Sequence, residues 1–581
     1  MSSIDWTIAI ALNAGIILYG IVRGRDTKTS SDWFLAGRSL PWWMIGLSLY
    51  ATAIDASDLV ADAGGTYAVG MSYLVTNWVG VTLGWFLLAN WIALPMYRAG
   101  MYTNAEYLEA RFSLSARVIS ALVQALYRTL VLAIIATTLY LLLAIVCGLG
   151  TNAWWGVVLI AVLATAYTSL GGLRAVAVTD ALQSVVMVVA SFALFCTVWM
   201  AVGGWGGAGD RLEGHEAGLS AQLLHAGTDD IAVQSVAGES PETVARRLLI
   251  GGELGPGGEE VVTRSPAWLV SLAWLIIGLG YAVVNHTQSM RLFGARSEWD
   301  LRMAVVVSGL VLLVLNFTNL SVGIFGRALY PDPSLMPLAA ELQVRDSTFP
   351  LIVRELTSAG LRGVIVAGVV AACFSTFDSI GSTVPSLLVR DVLARLFVKN
   401  RPDSYFVSAS RWLTPVVILG AFAFVPLMMQ ERGMLMVFLD WVGAFVVPLL
   451  AVYLMGAFTR VHRSSATWGL AVGIAYGTLK LLAPALALRF GVALLPAMLV
   501  NNYAGTVISL LLTVAAMLAV SAVRGWEPSS QPRELALEGW LRDSRAAIAV
   551  VSVDQRSATV PTLLAGAIVA IGAVLSFVVF W

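Results

Sequence analysis

The sequence predicts an all-α polytopic membrane protein. Hydrophobic residues make up 58% of the 581 and charged residues only 12%, with a mean hydropathy of +0.82. No soluble globular domain has that balance. The apolar residues also gather in runs long enough for a bilayer, which needs roughly 20 residues per spanning helix. About 14 such runs lie near 5–22, 41–68, 71–97, 117–148, 154–170, 176–203, 265–287, 303–329, 360–389, 407–429, 434–457, 465–487, 497–523 and 560–580. A third observation adds chemistry: several of these runs carry polar and acidic residues in their middles.

The first run begins almost at Met1, with no basic stretch before it and no small-residue cleavage site after it. Asp5 precedes it, and Arg23 and Arg25 follow. It reads as a retained helix with its N-terminus outside. The odd-numbered loops then face the cytoplasm, and they hold most of the basic residues. They carry Arg23, Arg25, Lys28 and Arg38; Arg98, Arg111 and Arg117; Arg174; and Arg291, Arg296 and Arg302. Arg390, Arg395, Lys399 and Arg401 come next, then Arg460 and Arg463, then Arg524 to Arg556. Two long loops, near 204–264 and 330–359, are expected outside. The first is rich in Gly and acidic residues, with one helical pattern from Ser240-Pro241-Glu242 through Leu249. The stretch 524–559 sets Trp540-Leu541 and Ile548, Val550 and Val551 among charges, and reads as an interfacial cytoplasmic segment.

Several function classes are disfavoured. A net charge of zero speaks against a nucleic-acid partner. No Walker motif is present, against ATP-driven transport. Cys147, Cys196 and Cys373 lack metal or redox spacing, and the four His are dispersed. No nucleophile and base stand out as a pair, against an enzyme.

The polar constellations start with the second run. Asp55, Asp58 and Asp62 are three and four residues apart and share a helical face, followed by Gly64-Gly65. Three carboxylates facing lipid would be prohibitive, so the face lines a cavity or the helix breaks there. A broken helix frees carbonyls that can bind an ion at the midplane. The sixth run opens after Gly171-Gly172 and Arg174, with Asp180 and Gln183 on one face. The seventh places Tyr281, Asn285 and Gln288 at helical spacing. In the ninth, Ser375, Ser379, Ser382 and Ser386 form a hydroxyl stripe beside Asp378, and oxygens of this kind suit a small hard cation.

Three strings together resemble the sodium:solute symporter family, which includes sodium/glucose, sodium/proline and sodium/sialic acid symporters. They are Phe34-Leu-Ala-Gly-Arg38 with Gly64-x-x-Tyr67, Gly171-Gly-Leu-x-Ala-Val-x-x-Thr-Asp180-x-x-Gln183, and Ala372-x-x-Ser375-Thr376-x-Asp378-Ser379. The resemblance runs from Phe34 to about residue 460. It implies a leucine-transporter-like fold of two inverted five-helix repeats, each with its first helix broken. The repeats would be 41–203 and 265–457. Residues 1–40 add a helix and loop before them, 204–264 an extracellular loop between them, and 458–581 further helices after them. The resemblance also implies a sodium site made by the carbonyls of Ala51, Ile54 and Ala372 and the hydroxyls of Ser375 and Thr376. Asp180, Ser375, Asp378 and Ser379 would form a second cation site, as in sialic acid-type members. Tyr281 matches the aromatic inner gate of sugar-type members, with Asn285 close to it. The sugar-contact pattern is not reproduced: Asp58, Asn77, His286 and Met290 stand where sugar transporters carry other residues. Asp58, Asn77, Tyr281 and Asn285 are therefore the expected contacts of a small polar solute that is not assigned as a hexose.

The expected function is secondary active transport, with inward sodium movement driving solute uptake by alternating access. A proton-coupled symporter of the same fold and a non-transporting ligand sensor are the alternatives. The expected location is the plasma membrane, or the inner membrane of a Gram-negative cell, with sodium, solute and lipid as partners and no obligate protein partner.

Overall fold

The computed structural model describes residues 1–24, 27, 29–71, 76–215, 217–224, 230–236, 261–331, 348–429, 434–490, 495, 497–548 and 556–580. Twelve described helices are long and apolar enough to cross a membrane, and a bent pair, Trp42–Ala53 with Asp58–Tyr67, makes a thirteenth. Against the 14 expected runs, the difference lies in the 53-residue stretch Gly150–Val202. Gly172 interrupts it at φ +56°, between the predicted runs 154–170 and 176–203. A Cβ at Gly172 would meet the Trp33 carbonyl oxygen at 2.7 Å, so close backbone approach and a left-handed φ both require glycine.

The helices that build the site are α1 (Ser3–Gly24), α2 (Trp42–Ala53), α3 (Ala63–Val69, after a π-turn at Asp58–Asp62) and α4 (Thr76–Leu87). They continue with α5 (Asn104–Arg111), α6 (Leu114–Leu141), α7 (Ala153–Val202) and α8 (Ala267–Val284). After these come α9 (His286–Phe293), α10 (Glu298–Leu329), α11 (Leu361–Leu387) and α12 (Asp403–Gly420). Thr103, Ser113 and Ser297 cap α5, α6 and α10 by accepting from amides in the first turn.

α11 is the centre of the molecule. It is buried along nearly all its length and packs on α7, α1 and α6. That burial on every face explains why its apolar residues show no amphipathic period. α4 and α8 lie unusually close: Cβ atoms added at Gly80 and Gly278 would fall 2.5 Å from the Leu275 carbonyl oxygen and from Asn77 Oδ1. Small residues at such a contact let helices pack without a side-chain layer between them.

The region 204–264 holds a helix at Gly204–His215 and an antiparallel pair, Asp230–Val236 with Val261–Pro266, which the sequence reading did not foresee. The expected helix at Ser240–Leu249 lies outside the described residues. One expectation is corrected. Within 524–559, the helix α13 (Gly539–Ala546) is docked on the protein rather than lying at an interface. Trp540 is 4% and Leu541 2% exposed, and the Trp540 ring stacks on Phe406 at 3.9 Å. Trp540 Nε1 also donates to Asp403 Oδ1 at 2.6 Å. Val550 and Val551 are outside the described residues.

Candidate functional site

Two helix breaks organise the site. At the first, between α2 and α3, the chain turns by 57°. The Asp55 amide donates to Asp58 Oδ2 at 2.7 Å. Asp55 Oδ1 accepts from the amides of Ser57 at 2.8 Å and Asp58 at 3.3 Å, and from Ser57 Oγ. This is a reciprocal capping box made from two aspartates. In an unbroken helix those three amides would serve the carbonyls four residues back, at Ala51, Ala53 and Ile54. The cap therefore takes the helical donors away from two of the carbonyls expected to bind sodium. The second break lies at Asn285, which is extended (φ −69°, ψ 114°) between α8 and α9. Asn285 Oδ1 accepts from the Thr287 amide at 3.1 Å and from Thr287 Oγ1 at 2.6 Å. The Val284 carbonyl is met by Asn104 Nδ2 at 2.6 Å, and the His286 amide donates to Gln124 Oε1 at 2.9 Å.

α11 lies across the first break. Ser375 Oγ is 3.0 Å from the Ala51 carbonyl oxygen and 2.7 Å from Asp180 Oδ1. Thr376 Oγ1 donates back to the Ala372 carbonyl at 3.1 Å. Ala51, Ala372, Ser375, Thr376 and Asp180 are all fully buried. Asp180 Oδ2 also accepts from Ser48 Oγ at 2.5 Å and from an Arg291 Nη at 2.6 Å. The same Nη of Arg291 donates to Ser379 Oγ at 2.5 Å, its Nε to Ser48 Oγ at 2.6 Å, and its other Nη to the Thr287 carbonyl at 2.7 Å. Arg291, expected in a loop, is fully buried. Asp378 stands apart from this set: its Oδ2 accepts from the Tyr167 hydroxyl at 2.5 Å and from Thr179 Oγ1 at 3.3 Å. Ser382 is turned onto its own helix, donating to the Ser379 carbonyl at 3.1 Å.

Beside the first break is a cavity with about 830 Å³ of empty volume, part of it open to solvent. Asp55, Asp58, Asp62, Asn77, Arg128 and Tyr281 line it, with Trp274 and Phe438 among its apolar walls. The Tyr281 hydroxyl donates to the Thr52 carbonyl at 2.5 Å, tying α8 to the end of α2.

A family model for the sodium:solute symporter family matches residues 33–473. The chain belongs to that family. Among curated relatives, solute carrier family 5 member 4 of Rattus norvegicus is 25% identical over 480 residues, covering 79% of this chain and 67% of the relative. Sodium/glucose cotransporter 1 of Sus scrofa is 26% identical over 466 residues, covering 78% and 68%. A solved structure of a sodium-coupled sialic acid symporter, substrate-bound and outward-open, superposes with a TM-score of 0.69 at 19% identity. That likeness covers 90% of this chain and 98% of the other, and it shows the leucine-transporter-like fold. This symporter is a multi-pass plasma-membrane protein that couples sodium movement to uptake of a solute.

The symporter's fold brings most of the predicted residues together. Ala51, Ser375 and Asp180 meet directly, and Ala372 and Thr376 lie one turn from that contact on α11. Of the four expected solute contacts, Asp58, Asn77 and Tyr281 line the cavity. Asn285 does not; its oxygen caps α9 instead. Arg128 also lines the cavity, and the sequence reading did not single it out. A signal for it exists: it is a lone cation well inside the span Leu114–Val146, whose other basic residue, Arg117, lies in the first turn.

Proposed function

We propose that the coupling sodium binds between the first helix break and α11, held by the carbonyls of Ala51, Ile54 and Ala372 and the hydroxyls of Ser375 and Thr376. The observation that carries this reading is the contact of Ser375 Oγ with the Ala51 carbonyl at 3.0 Å. It joins a helical hydroxyl to a carbonyl whose own amide donor has been diverted to Asp58. The ligand set is neutral, because Arg291 already balances Asp180. A neutral set of hard oxygens binds a monovalent cation reversibly.

The second cation site at Asp180, Ser375, Asp378 and Ser379 is read differently. The Arg291 guanidinium bridges Asp180 and Ser379, so the protein's own cation takes that place and one sodium drives each cycle. The two repeats are assigned to 41–203 and 265–457, each opening on a broken helix, with 1–40, 204–264 and 458–581 as additions. The N-terminus is assigned to the outside, from the basic residues of the alternate loops. The polypeptide acts as a transporter rather than an enzyme, without a nucleic-acid or obligate protein partner. Family membership disfavours proton coupling and a flux-free sensor.

In the cycle, sodium arrives from outside and holds the end of α2 against α11, which favours the solute-competent state. The solute enters the cavity against Asp58, Asn77 and Tyr281, and closure follows. One sodium moving down 100 mV contributes about 2.3 kcal/mol before its concentration gradient is added. Ser375→Ala and Thr376→Ala should each raise the sodium concentration for half-maximal uptake about tenfold or more, measured in vesicles at fixed pH. Unchanged sodium dependence in both variants would place the ion elsewhere.

A further inference from the structure

We infer that the solute is a zwitterion carrying a carboxylate and a protonated amine, with the carboxylate held by Arg128 and the amine by Asp62. The inference rests on the reading of the cavity beside the first helix break as the solute site, and it names the chemical class that fills it.

Arg128 is 2% exposed and lines that cavity, yet none of its three guanidinium nitrogens has a hydrogen-bond partner. Two tyrosine rings flank it, those of Tyr127 and Tyr281, each centred 5.9 Å from the guanidinium carbon. A buried guanidinium with five unmade hydrogen bonds is costly, and such a group is normally retained for a partner that arrives. Its planar fork matches a carboxylate, which it can grip through two parallel bonds.

Asp55 and Asp58 act on Arg128 through charge, but neither hydrogen-bonds it. Asp55 and Asp58 receive backbone amides in the helix cap. The carboxylate of Asp62, a partly exposed residue on the π-turn that follows, takes no hydrogen bond from a described residue, while its backbone carbonyl accepts from Thr66 Oγ1 at 3.0 Å. Asn77 Oδ1 is buried without a donor. The cavity thus offers unmet donors on α6 and unmet acceptors on the π-turn and α4. A neutral polyol offers the guanidinium fork no carboxylate to grip. A simple carboxylate leaves Asp62 unmet, and a simple amine leaves Arg128 unmet. Only a solute with both poles satisfies both ends, with Trp274 and Phe438 covering its apolar part.

The test is a thermal-shift screen of the purified full-length protein, in sodium and in choline buffer. The probes are the twenty common L-amino acids, β-alanine and γ-aminobutyrate, beside L-lactate, ethanolamine and D-glucose. At least one zwitterion should raise Tm in sodium only, with the three single-pole or neutral probes giving no shift. Arg128→Gln should weaken that ligand by about 100-fold or more and leave the sodium-induced shift in place. If no zwitterion stabilises the wild-type protein, or if D-glucose, L-lactate or ethanolamine does so equally well, the inference is wrong. Sodium alone stabilising the wild type but not Ser375→Ala would leave the sodium assignment standing even then. Loss of every sodium effect would instead remove the site reading beneath it.

Discussion

Two buried sets of charge in this molecule differ in one respect that separates structure from function. At the end of the bundle near α5, Arg117, Arg390, Arg395 and Arg545 meet Glu106, Glu109 and Asp391. Every member has a partner of opposite sign. Arg117 lies 2.6 Å from Asp391 and 2.8 Å from Glu109; Arg395 lies 2.5 Å from Glu109; Arg390 lies 3.3 Å from Glu106, and Arg545 also pairs with Glu106. The Arg390 guanidinium also covers the Tyr102 ring at 3.6 Å. In the cavity, by contrast, the Arg128 guanidinium makes no hydrogen bond, and the Asp62 carboxylate takes none from a described residue. A closed network holds α5, α6, the π-helical segment Leu388–Phe397 that follows α11, and the docked helix α13 together. The cavity set leaves the guanidinium's hydrogen bonds for the proposed solute.

The largest expected effect tests that distinction. Replacing Arg117 by Met leaves Asp391 and part of the Glu109 charge buried and unpaired, and should cost about 3–5 kcal/mol of stability. Arg128→Met removes a guanidinium that makes no hydrogen bond and acts on Asp55 and Asp58 only through charge, so its stability loss should be smaller, while solute uptake is abolished. Unfolding of both purified variants beside the wild type measures the gap. If Arg128→Met is as destabilising as Arg117→Met, the cavity charge is structural and the comparison fails.

A second expectation sharpens the comparison through pH. Burial alone would raise the Glu106 pKa, but the guanidinium groups of Arg390, Arg545 and Arg117 outweigh it and hold the carboxyl at about 2. A carboxylate depressed in the folded state stabilises the fold fully above its unfolded pKa, near 4.5. That stabilisation, roughly 3 kcal/mol for a shift of this size, is lost as pH falls from there toward 2. Glu106→Gln should lose most of its stability difference from the wild type as pH drops through that window. A difference that stays constant between pH 7 and pH 3 would mean that Glu106 titrates alike in the folded and unfolded chain, so that the arginines do not stabilise its charge.

How far the sequence reached follows the same division. The spans were legible because bilayer thickness imposes a run length that composition alone displays. The proposed sodium ligands come from the family resemblance; what spacing alone displays is a row of hydroxyls on one helix and a cluster of aspartates on another, which mark a polar region inside the membrane. Pairings across the chain were not legible. Arg291 with Asp180 and Arg117 with Asp391 join residues far apart in sequence, and a basic residue near the end of a span looks like a solvated loop charge until packing buries it. Asn285 looked like a solute group for a related reason, while Asp55 and Asp58, which do line the cavity, also cap the helix that follows them. A polar side chain at a helix break serves the backbone first, and spacing cannot distinguish that from contact with a ligand. Arg128 is a lone cation deep in an apolar span, a signal of one residue beside acidic clusters of three.

The smallest expected effect concerns Asp55, which belongs to the open cavity yet is closed by its own helix. Its oxygen accepts the Ser57 and Asp58 amides, and those amides would otherwise restore the helical bonds of the Ala53 and Ile54 carbonyls. Asn caps a helix about as well as Asp, whereas Ala caps it poorly. Asp55→Ala should therefore cost about 1 kcal/mol of stability. It should also raise the sodium needed for half-maximal thermal stabilisation several-fold, because the freed carbonyls can regain helical donors. Asp55→Asn should keep both properties close to wild type. The two variants together separate geometry from charge. If Asn is as damaging as Ala, the negative charge of Asp55 acts directly on the ion or the solute, and Asp55 joins Arg128 and Asp62 in the open set.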